Sequence, residues 1–189
     1  MKQIRNIIIL VAVLLIAGTR TADAQKVSLS TNLVTWANLG TANLEANVSV
    51  HKNVTVFGGM KYNPWELRTK SQVPIYNNQI AGYVGAKYWP WHVYSGWWLG
   101  GKLQYQDFDY AGLITENLVR GQALGLGLSA GYSIMIGSHV NLDLGVGAWG
   151  GRVLKYRSYK DIGGYELGHV GAKNFIFLDN VIVAFAYIF

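Results

Sequence analysis

The chain has no cysteine and four histidines, His51, His92, His139 and His169, so acid–base or metal chemistry would have to begin from imidazoles and carboxylates. No two histidines stand at metal-ligand spacing. Three fall in or beside short turns and one in a loop, where a solvated imidazole is the ordinary reading. Ser138–His139 is the nearest approach to a nucleophile and its base, with Asp143 a little further on. A working dyad needs the serine within hydrogen-bond reach and a carboxylate that orients the histidine, whereas neighbours in a turn point apart. "GLGLSAG" (Gly125–Gly131) resembles a dinucleotide fingerprint, but its spacing is G-x-G-x-x-x-G and no helix follows. No catalytic, cofactor or metal site is expected, and the chain does not read as an enzyme.

The remaining charges of interest are Glu45, Lys61, Lys87, Lys102 and Asp143, scattered through segments that alternate with period two. In "ANLEANVSV", Leu44, Ala46, Val48 and Val50 share one face, and Asn43, Glu45, Asn47 and Ser49 the other. "ALGLGLSAGYSIMI" and "VNLDLGVGAWG" repeat the pattern with glycines opposite the apolar row. Eight such segments are predicted, near 27–35, 42–51, 54–62, 80–89, 97–107, 122–136, 140–151 and 175–189, with no helix between them. After the first connection, short turns alternate with long loops, as in outer-membrane barrels. The expected fold is all-β: an eight-stranded antiparallel up-and-down transmembrane β-barrel.

The face opposite the apolar row decides which way the barrel is turned. A soluble barrel solvates its outside with about a quarter to a third charged residues. Here that face carries Glu45, Lys61, Lys87, Lys102 and Asp143 among Gly, Ser, Asn, Gln and rings such as Phe57, Tyr83, Trp98 and Trp149. Such a mixture suits a narrow lumen filled by side chains, with the five charges as a buried network. "YWPWHVYSGWW" places Tyr88, Trp89, Trp91, Tyr94, Trp97 and Trp98 around one turn. They read as a membrane-interface girdle, with a core cluster as the rival reading.

Two segments bear on location. "MKQIRNIIILVAVLLIAG" has Lys2 and Arg5 before an apolar run from Ile7 to Ala17, and Ala22 and Ala24 offer an A-x-A site before Gln25. Residues 1–24 are therefore expected to be a cleaved signal peptide, the apolar run being short of the about 20 residues of a membrane anchor. Residues 25–189 then form one domain with thirteen basic and nine acidic residues. No compact Lys/Arg run points to nucleic acid. "NVIVAFAYIF" sets Val181, Val183, Phe185, Tyr187 and Phe189 at alternate positions, the pattern of a terminal strand read by barrel-insertion machinery. Arg152, Lys155, Arg157, Lys160 and Lys173 make the 152–174 stretch basic. It reads as a solvated loop, or as a contact for lipopolysaccharide phosphates or another anionic partner.

"TNLVTWANLGTANLEANVSV" (Thr31–Val50), "YNPW" (Tyr62–Trp65) and "GAKYW" (Gly85–Trp89) resemble a family, mainly from Bacteroidota, known as domain of unknown function 3575. Its members often carry cysteines in the last long loop, which this chain lacks. The resemblance implies a small outer-membrane barrel, in some members encoded near surface-fimbria components, and no reaction. The expected role is structural or surface-interacting, with outer-membrane lipid, the insertion machinery and a fimbria or other envelope protein as partners. An outer-membrane lipid-modifying enzyme and a soluble periplasmic lipocalin-like barrel are the alternatives.

Overall fold

The alternating segments become the staves of a closed cylinder. A computed structural model describes residues 27–38, 40–64, 66–67, 75–111, 118–159, 166–169 and 173–189. The eight staves are β1 (Val27–Asn32), β2 (Ala42–His51), β3 (Val54–Asn63), β4 (Ile75–Tyr88), β5 (Gly96–Ala111), β6 (Leu118–Met135), β7 (Val140–Tyr159) and β8 (Lys173–Ile188). Each pairs antiparallel with its successor, and β8 returns to β1 with Ser28 opposite Ile188 and Asn32 opposite Ala184. Two short strands, Glu66–Leu67 and Glu166–His169, pair with the loop-side ends of β4 and β7. The expected signal peptide lies outside the described residues.

Alternation sorts the side chains by face, and the sorting is the reverse of a soluble protein's. Leu126 and Leu128 are 70% and 74% exposed, whereas the inward Asn63, Gln104 and Asn141 are 0%, 0% and 1% exposed. The outward rows are apolar for most of each strand and turn polar toward the loops, at Asp107, Gln122 and Arg152. Among the described residues, no helix is long and apolar enough to cross a membrane.

The walls differ in height. β1 has 6 residues, whereas β6 and β7 have 18 and 20. The sequence pattern predicted shorter strands on the tall side, because there the ladder continues past the point where apolar alternation stops. β1 is shorter than expected, ending at Asn32, where a one-turn helix, α1 (Leu33–Ala37), begins. Asn32 caps it, its Oδ1 accepting from Val34 N at 3.1 Å. Five residues hold too little of a 3.6 period for the helix to register in the sequence.

At this seam two asparagines continue the ladder with their side chains. Asn32 Nδ2 donates to Val181 O at 3.0 Å, and Val183 N donates to Asn32 Oδ1 at 3.1 Å. Across the strand, Asn32 N donates to Asn43 Oδ1 at 2.7 Å, and Asn43 Nδ2 donates to Asn32 O at 2.9 Å.

Candidate functional site

The lumen gathers the five charges into one cavity of about 50 Å3 that Glu45, Lys61, Lys87, Lys102 and Asp143 all line. Glu45 on β2 and Lys87 on β4 reach past β3 to form an ion pair at 2.7 Å. Asn47 Nδ2 donates to Glu45 Oε1 at 3.2 Å, and the Lys87 ammonium sits 5.1 Å from the Phe57 ring centre and 4.9 Å from that of Trp98. Asp143 accepts from Ser133 Oγ at 2.5 Å. Lys102 Nζ donates to Gln104 Oε1 at 2.7 Å and lies 5.1 Å from the Tyr83 ring centre. Buried charges need such partners, since an unpaired one is costly.

Glycines make the lumen wide enough for these rings. A methyl group at Gly59 would overlap the Tyr83 ring, and one at Gly131 would meet Trp98 and the Leu144 carbonyl. What remains admits a few waters, each needing about 10–15 Å3. The cavity is too small for an organic substrate.

From the charges a row of amides leads to the loop end. Gln104 Nε2 donates to Gln106 Oε1 at 3.3 Å, and Gln106 Nε2 donates to Gln79 Oε1 at 3.0 Å and to Tyr110 OH at 2.8 Å. Gln79 Nε2 donates to Asn77 Oδ1 at 3.4 Å, and Asn77 Nδ2 to Asn38 Oδ1 at 3.3 Å, beside α1. Sequence reasoning passed over this row. Its signal was present in Asn77 and Gln79 on β4 and in Gln104 and Gln106 on β5, polar residues two apart in the inward phase.

The turn end is closed differently, and three of the expected girdle residues are the reason. Tyr88, Trp91 and Trp97 are 52%, 66% and 58% exposed and face outward, as a girdle requires. Trp89, Tyr94 and Trp98 do not: with Val93 and Ile188 they form a buried apolar plug. The β4–β5 turn curls back over the barrel end through Tyr94 (φ 64) and Gly96 (φ 74). Tyr94 is held in that left-handed conformation, unusual for a residue with a side chain, from both sides. Its carbonyl accepts from Asn141 Nδ2 at 2.5 Å, and its hydroxyl donates to Asn47 O at 3.3 Å. Burial pushes its phenol up to about 12.

The other expected residues fall outside the lumen. Arg152, Lys155 and Arg157 are on β7 and Lys173 begins β8, so they belong to extended strands and not to a loop. Lys160 lies outside the described residues. Phe185, Tyr187 and Phe189 face outward with Val181 and Val183, against buried Ala184, Ala186 and Ile188. Ser138 and His139 do not point apart as expected: His139 Nδ1 is 2.9 Å from Ser138 Oγ in an exposed turn, its ring stacked on Tyr187. Asp143 is committed to Ser133 inside the wall and does not orient it. Among the described residues, no three His, Asp or Glu side chains gather as metal ligands would.

A family model described as "Protein of unknown function (DUF3575)" matches residues 9–189. No curated protein and no solved structure matches the chain.

Proposed function

The chain belongs to this family of proteins of unknown function, and on that premise we propose that it is a small outer-membrane barrel, exported by a cleaved leader over residues 1–24, with a structural or surface-interaction role. One observation carries the reading: apolar side chains cover the outside while Asn, Gln, Lys, Asp and Glu fill the inside. Hydrocarbon leaves no water for backbone groups, so a spanning sheet must close on itself. The eight-stranded ring does close. The plug of Trp89, Tyr94 and Trp98 at one end and the filled lumen argue against a diffusion pore. The same packed, polar lumen argues against a lipocalin-like ligand cavity.

The loop ends of the tall wall and α1 are then the surfaces left for partners. Leu33, Val34 and Trp36 of α1 stand exposed there. Envelope lipid, the barrel-insertion machinery and a fimbria or other surface protein are the partners proposed. The outward row of Val181, Val183, Phe185, Tyr187 and Phe189 is the stretch proposed for the insertion machinery. No reaction is assigned.

Cell fractionation with heated and unheated SDS gels tests the reading. A closed barrel keeps its ladder in cold SDS, so the protein should sediment with outer membrane and change mobility on heating. Recovery from the soluble periplasm without detergent would overturn it.

A further inference from the structure

Toward the loops, the outward row of β7 turns basic. Arg152 stands opposite Leu124 of β6 and so shares the apolar outer face. A register shift beside it leaves Leu154 and Lys155 both exposed, and Arg157 follows opposite Arg120. None of Arg152, Lys155 and Arg157 pairs with a carboxylate among the described residues. The outward acids of β5, two strands away across β6, are already engaged. Asp109 accepts from Arg120 at 2.7 and 2.8 Å, and Asp107 from Gln122 Nε2 at 3.0 Å. Among the described residues, a row of exposed cations is thus left without counterions directly above an apolar wall.

That wall contains a hollow. Leu99, Leu128, Val146 and Leu178 stand around the small Ala130 and Ala148, leaving an open apolar depression of about 700 Å3 across β5–β8. Leu128 and Leu178 at its rim are 74% and 72% exposed. From Arg152 down to Ala148 is about 13 Å, at about 3.3 Å per residue. One leaflet of a bilayer offers about 15 Å of hydrocarbon, half of its about 30 Å core.

We propose that this face seats one phosphorylated lipid, its phosphates on Arg152, Lys155 and Arg157 and an acyl chain in the depression between Leu128 and Leu178. The inference rests on the outer-membrane reading above and adds the partner's chemistry to it. Guanidinium forks bind phosphate oxygens in pairs, and three cations along one strand match a head group with more than one phosphate. Free phosphate would leave the hollow unfilled, and so would an acidic peptide. A zwitterionic lipid would fill the hollow but leave the cations without counter-charge. The lipid class is therefore a diphosphorylated one, on the loop side of the barrel.

The test uses the whole mature chain purified in detergent, with retained lipid read by native mass spectrometry. The probes are diphosphoryl lipid A, its monophosphoryl form and phosphatidylcholine. One diphosphoryl lipid A should be held per barrel, more tightly than either other lipid and resistant to excess inorganic phosphate. The triple variant Arg152→Gln, Lys155→Gln, Arg157→Gln should weaken binding about tenfold or more. Ala148→Trp, which fills the hollow without changing charge, should weaken it several-fold. Each variant must keep the heat-dependent gel shift of the native barrel; one that loses it is replaced by the single changes. Equal retention of phosphatidylcholine, displacement by inorganic phosphate, or full binding by the triple variant would overturn the proposal. If the unaltered protein shows no gel shift, the outer-membrane reading has failed. A shift without lipid selectivity means that this inference alone has failed.

Discussion

Lys87 meets Glu45 at 2.7 Å across the lumen, and the same ammonium is the cation that Asp143 faces from β7. One lysine therefore serves two carboxylates. Lys87→Met should destabilise the barrel more than Glu45→Gln does, since it strands both acids. Breaking a buried pair from one side costs about 3–5 kcal/mol. The double variant Glu45→Gln, Lys87→Met should recover part of that loss, with Asp143 still lacking its cation. Urea unfolding in detergent, followed by tryptophan fluorescence, gives the three differences. Equal effects for the two single variants would mean that Asp143 does not depend on Lys87.

Tyr94 supplies a pH prediction outside the walls. Its phenol is pushed up to about 12 by burial, against about 10 for an unfolded tyrosine. A raised folded value means that the stabilisation is fully present below about pH 10 and is lost as pH rises through about 12. The tyrosinate absorbance of the folded protein should contain one late-ionising group, and Tyr94→Phe should remove it. At neutral pH that variant also loses the hydrogen bond to Asn47 O, worth about 1 kcal/mol. An unchanged titration curve would place the late tyrosine elsewhere.

The glycines differ in what surrounds them. Gly131→Val inserts a branched side chain where Trp98 and the Leu144 carbonyl already crowd the backbone, and overpacking of this kind costs about 1–3 kcal/mol. Gly82 faces outward with nothing within 4 Å, so Gly82→Ala should change stability by about 0.5 kcal/mol or less. Thermal loss of the gel shift ranks the two. A milder effect at Gly131 than at Gly82 would contradict the ring-over-glycine packing.

The tryptophans among the described residues differ in their exposure. In vesicles containing brominated lipid, Trp97, at 58% exposed, should be quenched strongly, and Trp89 and Trp98, at 2% and 1%, should not. Single-tryptophan variants make the comparison clean. Quenching of Trp98 as strong as that of Trp97 would mean that the turn-end plug is open to lipid.

Strand number, phase and closure were readable because every strand repeats a two-residue pattern against one apolar face. The five lumen charges were readable for the same reason, since phase alone sends Glu45, Lys87 and Asp143 inward. Phase failed where backbone geometry changes direction without changing composition. Nothing in "YWPWHVYSGWW" shows that Tyr94 and Gly96 take positive φ and fold three rings into the barrel end. Strand length failed for a different reason. Asp107, Asp109, Arg120 and Gln122 stay in the ladder on the outside of the tall wall, where polar side chains interrupt the apolar signal but not the hydrogen bonding. The amide row from Gln104 to Asn38 was legible only in part: Asn77, Gln79, Gln104 and Gln106 share the inward phase, but which amides meet is set by the register across the strands.

β1 is joined to β8 by five register pairs and to β2 by four, with Asn32 and Asn43 bridging one further step. Every other joint of the ring is longer. Mechanically the cylinder is a band with one short clasp, and the clasp is the strand nearest the amino end. The clasp would be the last joint to fasten as the ring forms and the first to part under load. A pull on the amino end would therefore peel β1 away while β2–β8 kept their shape as a curved sheet.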